Sequence, residues 1–271
     1  MRKLFILFAL ASAIITVGCA PKEKENKVAI TAHRGFWNCE ESGYPGNTIS
    51  SLRVAQENEF WGCEFDVHIT GDDQLLLNHD AVLNGKNIHE MPIDTFLAMV
   101  LPNGEHPASA DAFLSQAEKN NIMLVWELKP HESEEREYQM IDKTIETLKA
   151  HNLYDPERVM FISFSLNICK RIAELCPEFT NQFLEGGERD LGPHEIHEMG
   201  INGIDYHFSK FQAHPEWVEQ AHNLGMSVNV WTVDDEQIMR DMIDLGIECI
   251  TTNEPLKVRE ILGERELKPK K

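Results

Sequence analysis

Positive charge is scarce in this chain: 25 Lys and Arg stand against 45 Asp and Glu, a formal net charge of -20. So acidic a surface opposes binding to DNA, RNA or an anionic bilayer through a basic face. No long basic block offsets it; the Lys-rich end, Lys268 to Lys271, is short and reads as part of a frayed tail over 266–271. The apolar run Leu4 to Val17 is too short to span a bilayer comfortably. None of Cys39, Cys63, Cys169, Cys176 and Cys249 shows metal-ligand spacing, and they read as small buried apolar residues, although an exported chain would have the option of pairing some of them. There is no sign of a second domain, a tandem repeat or a low-complexity segment. What remains is 271 residues, 42% of them hydrophobic. That is ample for a packed core and suits one large domain.

The first 27 residues stand apart from the fold. Arg2 and Lys3 give a positive start, the apolar run follows, and Gly18 precedes Cys19. Residues 1–18 therefore read as a signal peptide. Cys19, directly after a small residue, resembles a bacterial lipoprotein processing site and is the candidate lipid-carrying residue. The polar, charged stretch to Lys27 then reads as a tether over 19–27. The expectation is an exported, membrane-anchored lipoprotein of the periplasm or cell surface; the alternatives are ordinary signal cleavage or an uncleaved anchor.

From residue 28 to 265, strand-like apolar runs alternate with amphipathic helix-like runs. Strands are expected at Val28 to Ala32, Gly62 to Val67, Leu75 to Asn78, Ile122 to Glu127, Val159 to Ser163, Asn181 to Leu184, Gly203 to Tyr206, Met226 to Trp231 and Glu248 to Thr251. Helices are expected at Thr48 to Glu59, Ser109 to Asn120, Glu134 to His151, Leu166 to Leu175, Pro193 to Met199, Pro215 to Leu224 and Asp235 to Leu245. Repeated βα units imply a parallel sheet, and this many imply closure into a single-domain α/β TIM (β/α)8 barrel. Nine strands is one too many. The link between the second and third has no room for a helix, so one strand is expected to be a hairpin partner. The loop from Ala81 to Pro107 is the longest irregular piece and a candidate cap over a site.

The polar residues fall in a telling way. Glu64 and Asp66 sit two apart on a strand, which aims both carboxylates at one spot. Like charges that close need a cation between them or a proton on one of them. His33 ends the first strand, His79 the third, Glu127 the fourth and Trp231 the strand VNVW, with Arg34 and Lys129 adjacent. Barrel enzymes assemble their sites at the C-terminal ends of strands. These residues, far apart in sequence, are therefore expected on one rim. Three carboxylates, two histidines and Arg34 in one pocket suggest a metal-assisted reaction on an anionic group, with Arg34 and Lys129 holding phosphate oxygens. Other readings stay open at single residues: Lys129 instead of a metal as the partner of Glu127, and core packing instead of a substrate wall for Trp231. The histidines at 68, 89, 106, 131, 194, 197, 207, 214 and 222 lack motif context and read as surface or structural.

Taken in order, AHRG (32–35), GNT (46–48), CEFDVHITGDDQLLLNHD (63–80), WELK (126–129), SF (163–164), VWTVDD (230–235) and GIECITTNEP (246–255) resemble the glycerophosphodiester phosphodiesterase family, in register from about residue 28 to 262. The resemblance implies a TIM barrel that hydrolyses glycerophosphodiesters to sn-glycerol 3-phosphate and an alcohol. It implies a divalent cation, Ca²⁺ or Mg²⁺, on Glu64, Asp66 and Glu127, and an acid/base pair in His33 and His79. Arg34 and Lys129 would contact the phosphate, and Trp231 would line the substrate pocket. The chain departs from the family pattern at Gly46, where a Glu is usual and for which Glu40 or Glu41 is a candidate substitute, and at Asp234 and Asn253, where Asn and Asp are usual. Three alternatives accompany this reading: a non-catalytic phosphoester-binding lipoprotein, a phosphodiesterase for lysophospholipid or teichoic-acid-like substrates, and a metal-free glycoside hydrolase using Glu64 and Glu127.

Overall fold

A computed structural model describes residues 28–266. The expected signal peptide, Cys19 and the tether lie outside the described residues, as do residues 267–271 of the expected tail.

In chain order the strands are β1 (Ala29–Ala32), β2 (Gly62–Ile69), β3 (Leu75–Leu77), β4 (Val82–Leu83), β5 (Lys86–Asn87), β6 (Met123–Leu128), β7 (Val159–Ser163), β8 (Asn181–Glu185), β9 (Gly203–His207), β10 (Ser227–Trp231) and β11 (Cys249–Thr252). β1, β2 and β6 to β11 pair in parallel, each with the next, and β11 returns to β1. That ring is the expected TIM barrel. β3 lies antiparallel to β2, with Val67 opposite Leu77. It is the hairpin partner that the short link required.

The helices are α1 (Ile49–Glu57), α2 (Asp94–Leu97), α3 (Ala110–Ala117), α4 (Glu134–Ala150), α5 (Leu166–Leu175), α6 (Pro193–Glu198), α7 (Phe208–Ala213), α8 (Glu216–Asn223), α9 (Glu236–Leu245) and α10 (Pro255–Glu266). Polar caps fix several starts. The Thr48 hydroxyl accepts from Ser51 N at 3.1 Å while the Thr48 N–H donates to Ser51 Oγ at 3.2 Å, so two otherwise orphaned groups at the start of α1 are satisfied together.

The period of two sorts each strand into faces. Cys63, Phe65, Val67 and Ile69 of β2, with Leu124, Trp126 and Leu128 of β6, point outward into the core under the helices. Their alternates, Glu64, Asp66, Val125 and Glu127, face the barrel axis. Inside, Val125, Met160, Ile162 and Leu184 form a second, smaller apolar cluster on the β6–β8 side. The five cysteines of the described region are free, and all but the half-buried Cys39 are buried. Residues 81–107 carry β4, β5 and α2 and build their own small core, in which Leu76 packs on Ile88 and Phe96. None of them lines the cavity described below, which corrects the expectation that this segment caps the site.

Candidate active site

β2 and β6 are neighbours with Asp66 directly opposite Glu127. Glu64, Asp66 and Glu127 are buried, and each offers a carboxylate oxygen within 4.8 Å of the others. Three acids so close, out of water, cannot all carry charge without compensation. Burial, then the Asp66 and Glu127 charges, holds the Glu64 carboxyl well above the usual range. Burial and the Asp66 charge push Glu127 up to about 8. Asp66 goes the other way: burial alone would raise it, but Lys129 and the Asn47 amide hold it down at about 2. Among the described residues, Glu64 Oε1 has no hydrogen-bond partner. A buried all-oxygen donor set with an orphaned carboxylate oxygen fits a hard divalent cation.

The loop after β1 wraps this cluster. The Arg34 N–H donates to Glu64 Oε2 at 2.7 Å and Gly35 N–H to Glu64 O at 3.0 Å. Asn47 clasps Asp66 at both ends, with Nδ2 donating to Oδ2 at 2.7 Å and Oδ1 accepting from Asp66 N at 3.0 Å. Arg34 Nε lies 3.6 Å from Asp66 Oδ2, and Arg34 lines the cavity. Gly46 makes room for that side chain: a Cβ at 46 would stand 2.9 Å from Arg34 Cβ. Glu40 and Glu41 form an exposed 3-10 turn and do not line the cavity, so neither substitutes for an acid at 46. His33 faces the cluster, with Nε2 3.9 Å from Glu64 Oε2 and Nδ1 2.8 Å from Asn253 Oδ1. Burial, then Arg34, holds its imidazole down at about 4.

His79 lies across the cavity on the turn after β3. Its Nδ1 is 2.7 Å from Asp80 Oδ1. Its carbonyl is 3.3 Å from Nε2 of His68, a buried ring two residues beyond Asp66 on the same face of β2. The Nδ1 of His68 in turn lies 3.0 Å from His89 Nε2. His68 therefore braces the segment that carries His79. Lys129 was expected on a phosphate, with partnership to Glu127 as the other reading. Its ammonium lies 3.0 Å from Asp66 Oδ1 and 2.7 Å from Glu127 Oε1, and it is not among the cavity-lining residues. The two carboxylates raise it above an ordinary lysine, against its burial.

The opposite wall is apolar. Ile162, Phe164, Leu184 and Trp231 line it. Trp231 Nε1 donates to Asp205 O at 2.8 Å, and the indole meets Phe164 edge-on at 5.4 Å between centroids. The indole lies over Gly186, where a Cβ would stand 2.8 Å from Cη2 of the ring. Trp231 is thus both wall and packing. Asp205 lies between the walls, buried, with Oδ1 unpartnered among the described residues. Burial and then the Glu127 charge hold its carboxyl well above the usual range.

The structure therefore brings His33, Arg34, Glu64, His79, Glu127 and Trp231 around one cavity of about 110 Å³. Asp66 and Lys129 stand directly behind it. Sequence reasoning missed His68 and Asp205 as parts of this neighbourhood. The first was within reach, since it continues the Glu64–Asp66 face at the same spacing of two. The second carried no local signal; closure of the barrel alone brings β9 across from β6.

The model of the Glycerophosphoryl diester phosphodiesterase family matches residues 33–257. A glycerophosphodiester phosphodiesterase structure from Parabacteroides distasonis superposes with a TM-score of 0.83 at 38% identity, covering 88% of this chain and 98% of that one. A sequence relative from Caldanaerobacter subterraneus subsp. tengcongensis, a glycerophosphodiester phosphodiesterase, is 26% identical over 245 residues, 84% of this chain and 95% of the relative. A phosphodiesterase from Oleispira antarctica, solved with the product sn-glycerol-3-phosphate, shares the fold with a TM-score of 0.76 at 21% identity, covering 87% and 96%.

Proposed function

The chain belongs to the glycerophosphoryl diester phosphodiesterase family, and on that footing we propose that it hydrolyses glycerophosphodiesters to sn-glycerol 3-phosphate and an alcohol, using a divalent cation on Glu64, Asp66 and Glu127 and a His33/His79 proton-transfer pair. Membership in a family of phosphodiesterases weighs against the glycoside hydrolase reading, and the presence of both imidazoles with the three carboxylates favours turnover over a barrel that only binds. The observation that carries the proposal is the joint placement of three carboxylates within 4.8 Å and of both imidazoles and Arg34 around the same cavity. The product seen in the Oleispira antarctica phosphodiesterase is the one this reading assigns to this chain.

A bound Ca²⁺ or Mg²⁺ would supply Lewis-acid polarisation of a phosphate oxygen and neutralise charge there. The chain's own residues do the rest. The Arg34 guanidinium, on the cavity wall, takes up the remaining phosphate charge. Lys129 acts from behind, keeping Asp66 and Glu127 in place and their combined charge within bounds. His33, kept neutral by burial, removes the proton from the attacking hydroxyl, either the neighbouring glycerol hydroxyl or water. His79, with its Nδ1 on the Asp80 carboxylate, protonates the departing alcohol oxygen. If the glycerol hydroxyl attacks, the product is a cyclic phosphate, which water opens with the two rings exchanging roles. The apolar wall of Ile162, Phe164, Leu184 and Trp231 faces the carbon portion of the substrate and keeps water from it.

The test is hydrolysis of glycerophosphocholine by the purified chain, with and without chelator. Release of glycerol 3-phosphate that stops on chelation and returns with Ca²⁺ or Mg²⁺ is expected; turnover indifferent to chelator would remove the cation from the scheme. The proposal extends to location, with export on residues 1–18 and a lipid on Cys19 tethering the enzyme to a membrane. Metabolic palmitate labelling that is lost in Cys19→Ala checks that part separately.

A further inference from the structure

Asn253, just past β11, has no acid/base chemistry of its own, yet its neighbours dictate which way its carboxamide faces. Trp37 Nε1, a donor only, lies 3.0 Å from Asn253 Oδ1. Asp234 Oδ2, a carboxylate acceptor, lies 2.7 Å from Asn253 Nδ2. Turning the amide over would set its NH₂ against the indole N–H and its oxygen against the carboxylate, two contacts between like partners. The oxygen therefore faces His33, whose Nδ1 is 2.8 Å away. Across that contact the ring nitrogen has to be the donor. Asp234 is itself tied down: its Oδ1 accepts from Asn253 N at 2.8 Å and from Thr252 Oγ1 at 3.0 Å.

We propose that Asp234 and Asn253 are positioning residues that lock His33 in the tautomer with the proton on Nδ1. Nε2, the nitrogen on the Glu64 side, is thereby left as the proton acceptor. The lock rests on the reading of His33 as one of the acid/base pair only for its kinetic consequence; the tautomer follows from the hydrogen bonds alone.

The test combines a spectrum with kinetics on the full chain. Histidine-labelled protein is examined by ¹⁵N-detected NMR, with the His33 signals identified by their loss in His33→Gln, and turnover is measured on glycerophosphocholine. Wild type is expected to show Nδ1 protonated and Nε2 bare. Asn253→Leu removes the acceptor, so the tautomers mix and kcat falls roughly 10²-fold with KM nearly unchanged. Asn253→Asp sets two carboxylates against each other and also loses activity. The exchange Asp234→Asn with Asn253→Asp restores one acceptor facing the ring and one amide behind it, and is expected to recover the tautomer and most of kcat. Recovery by the double exchange separates positioning from a merely structural role, and melting curves of each variant confirm the fold. A wild-type ring protonated on Nε2, an Asn253→Leu variant with unchanged tautomer and kcat, or a double exchange no better than its single parent would each overturn the lock. Wild-type protein inert on every glycerophosphodiester tried would overturn the functional reading instead, and the spectrum would still decide the lock.

Discussion

The two walls of the cavity are built by different rules. On the side of β1, β2 and β6, three acids are buried against one another beside the half-buried His33, with Glu64 Oε1 unpartnered among the described residues and carboxyls held above their usual range. On the side of β7, β8 and β10, Ile162, Phe164, Leu184 and Trp231 pack as a small apolar core. The apolar wall stabilises the fold through burial in the ordinary way. The acidic wall does the opposite: it sets like charges out of water and stays in place because the barrel around it over-determines its position. A substitution on the apolar wall should therefore cost stability and binding together. One on the acidic wall should cost chemistry while leaving stability unchanged or improved.

The sharpest break in that contrast is at the imidazoles. His33→Ala and His79→Ala are each expected to lower kcat by roughly 10²- to 10⁴-fold with melting temperature close to wild type. Near-wild-type turnover in either, measured as glycerol 3-phosphate release, removes that ring from the mechanism. Next comes Glu64→Gln, which keeps the shape and removes the capacity to ionise. In chelated protein it is expected to raise the unfolding free energy by about 1–3 kcal/mol, the scale of an uncompensated buried polar group, while abolishing the gain in stability that added Ca²⁺ or Mg²⁺ gives wild type. Urea unfolding with and without cation reads both, and a Glu64→Gln chain less stable than chelated wild type would show that the acidic wall is not under strain. Across the cavity, Trp231→Ala is expected to do the reverse, raising KM about tenfold and costing roughly 3 kcal/mol or more in stability for a large truncated aromatic. A change confined to kcat would place the indole in the chemistry.

How much of this was legible beforehand depended on how local the signal was. The spacing of two between Glu64 and Asp66 placed both on one face, and the strand-end position of Glu127 put it beside them; β2 and β6 pair as that reading needs. The helices matched to within a few residues at either end because their apolar stripes and caps are local. α10 was missed: its buried Val258 and Ile261 are three apart in a stretch rich in charge, with Leu256 exposed, too thin a stripe to stand out without β1 to pack on. α7 is six residues directly after β9, shorter than any period can reveal. Lys129 was read both as a phosphate contact and as a partner of Glu127, because a lysine beside an acid at a strand end fits either, and its ammonium lies on Asp66 and Glu127. The Asp234–Asn253 pair was visible as two departures from a family pattern, yet its bearing on His33 required knowing that β10 and β11 end side by side.

Asp205 makes the smallest and most discriminating case, since it lies where the two walls meet. Its side chain is buried with one oxygen unpartnered, and burial with the Glu127 charge holds its carboxyl well above an ordinary aspartate. The folded state thus keeps a proton there that the unfolded chain loses above its usual aspartate range of about 4. A group that binds its proton more tightly when folded makes unfolding easier as pH rises through that window. Asp205→Asn preserves shape and hydrogen-bonding capacity and cannot ionise. In chelated protein it is expected to differ from wild type by less than about 1 kcal/mol at pH 5, and to become the more stable of the two as pH is raised to 8. Urea unfolding at the two pH values tests this. A difference that does not change with pH would mean that Asp205 ionises freely inside the barrel, and the boundary between the walls would then lie on the far side of β9, with Asp205 counted among the acids.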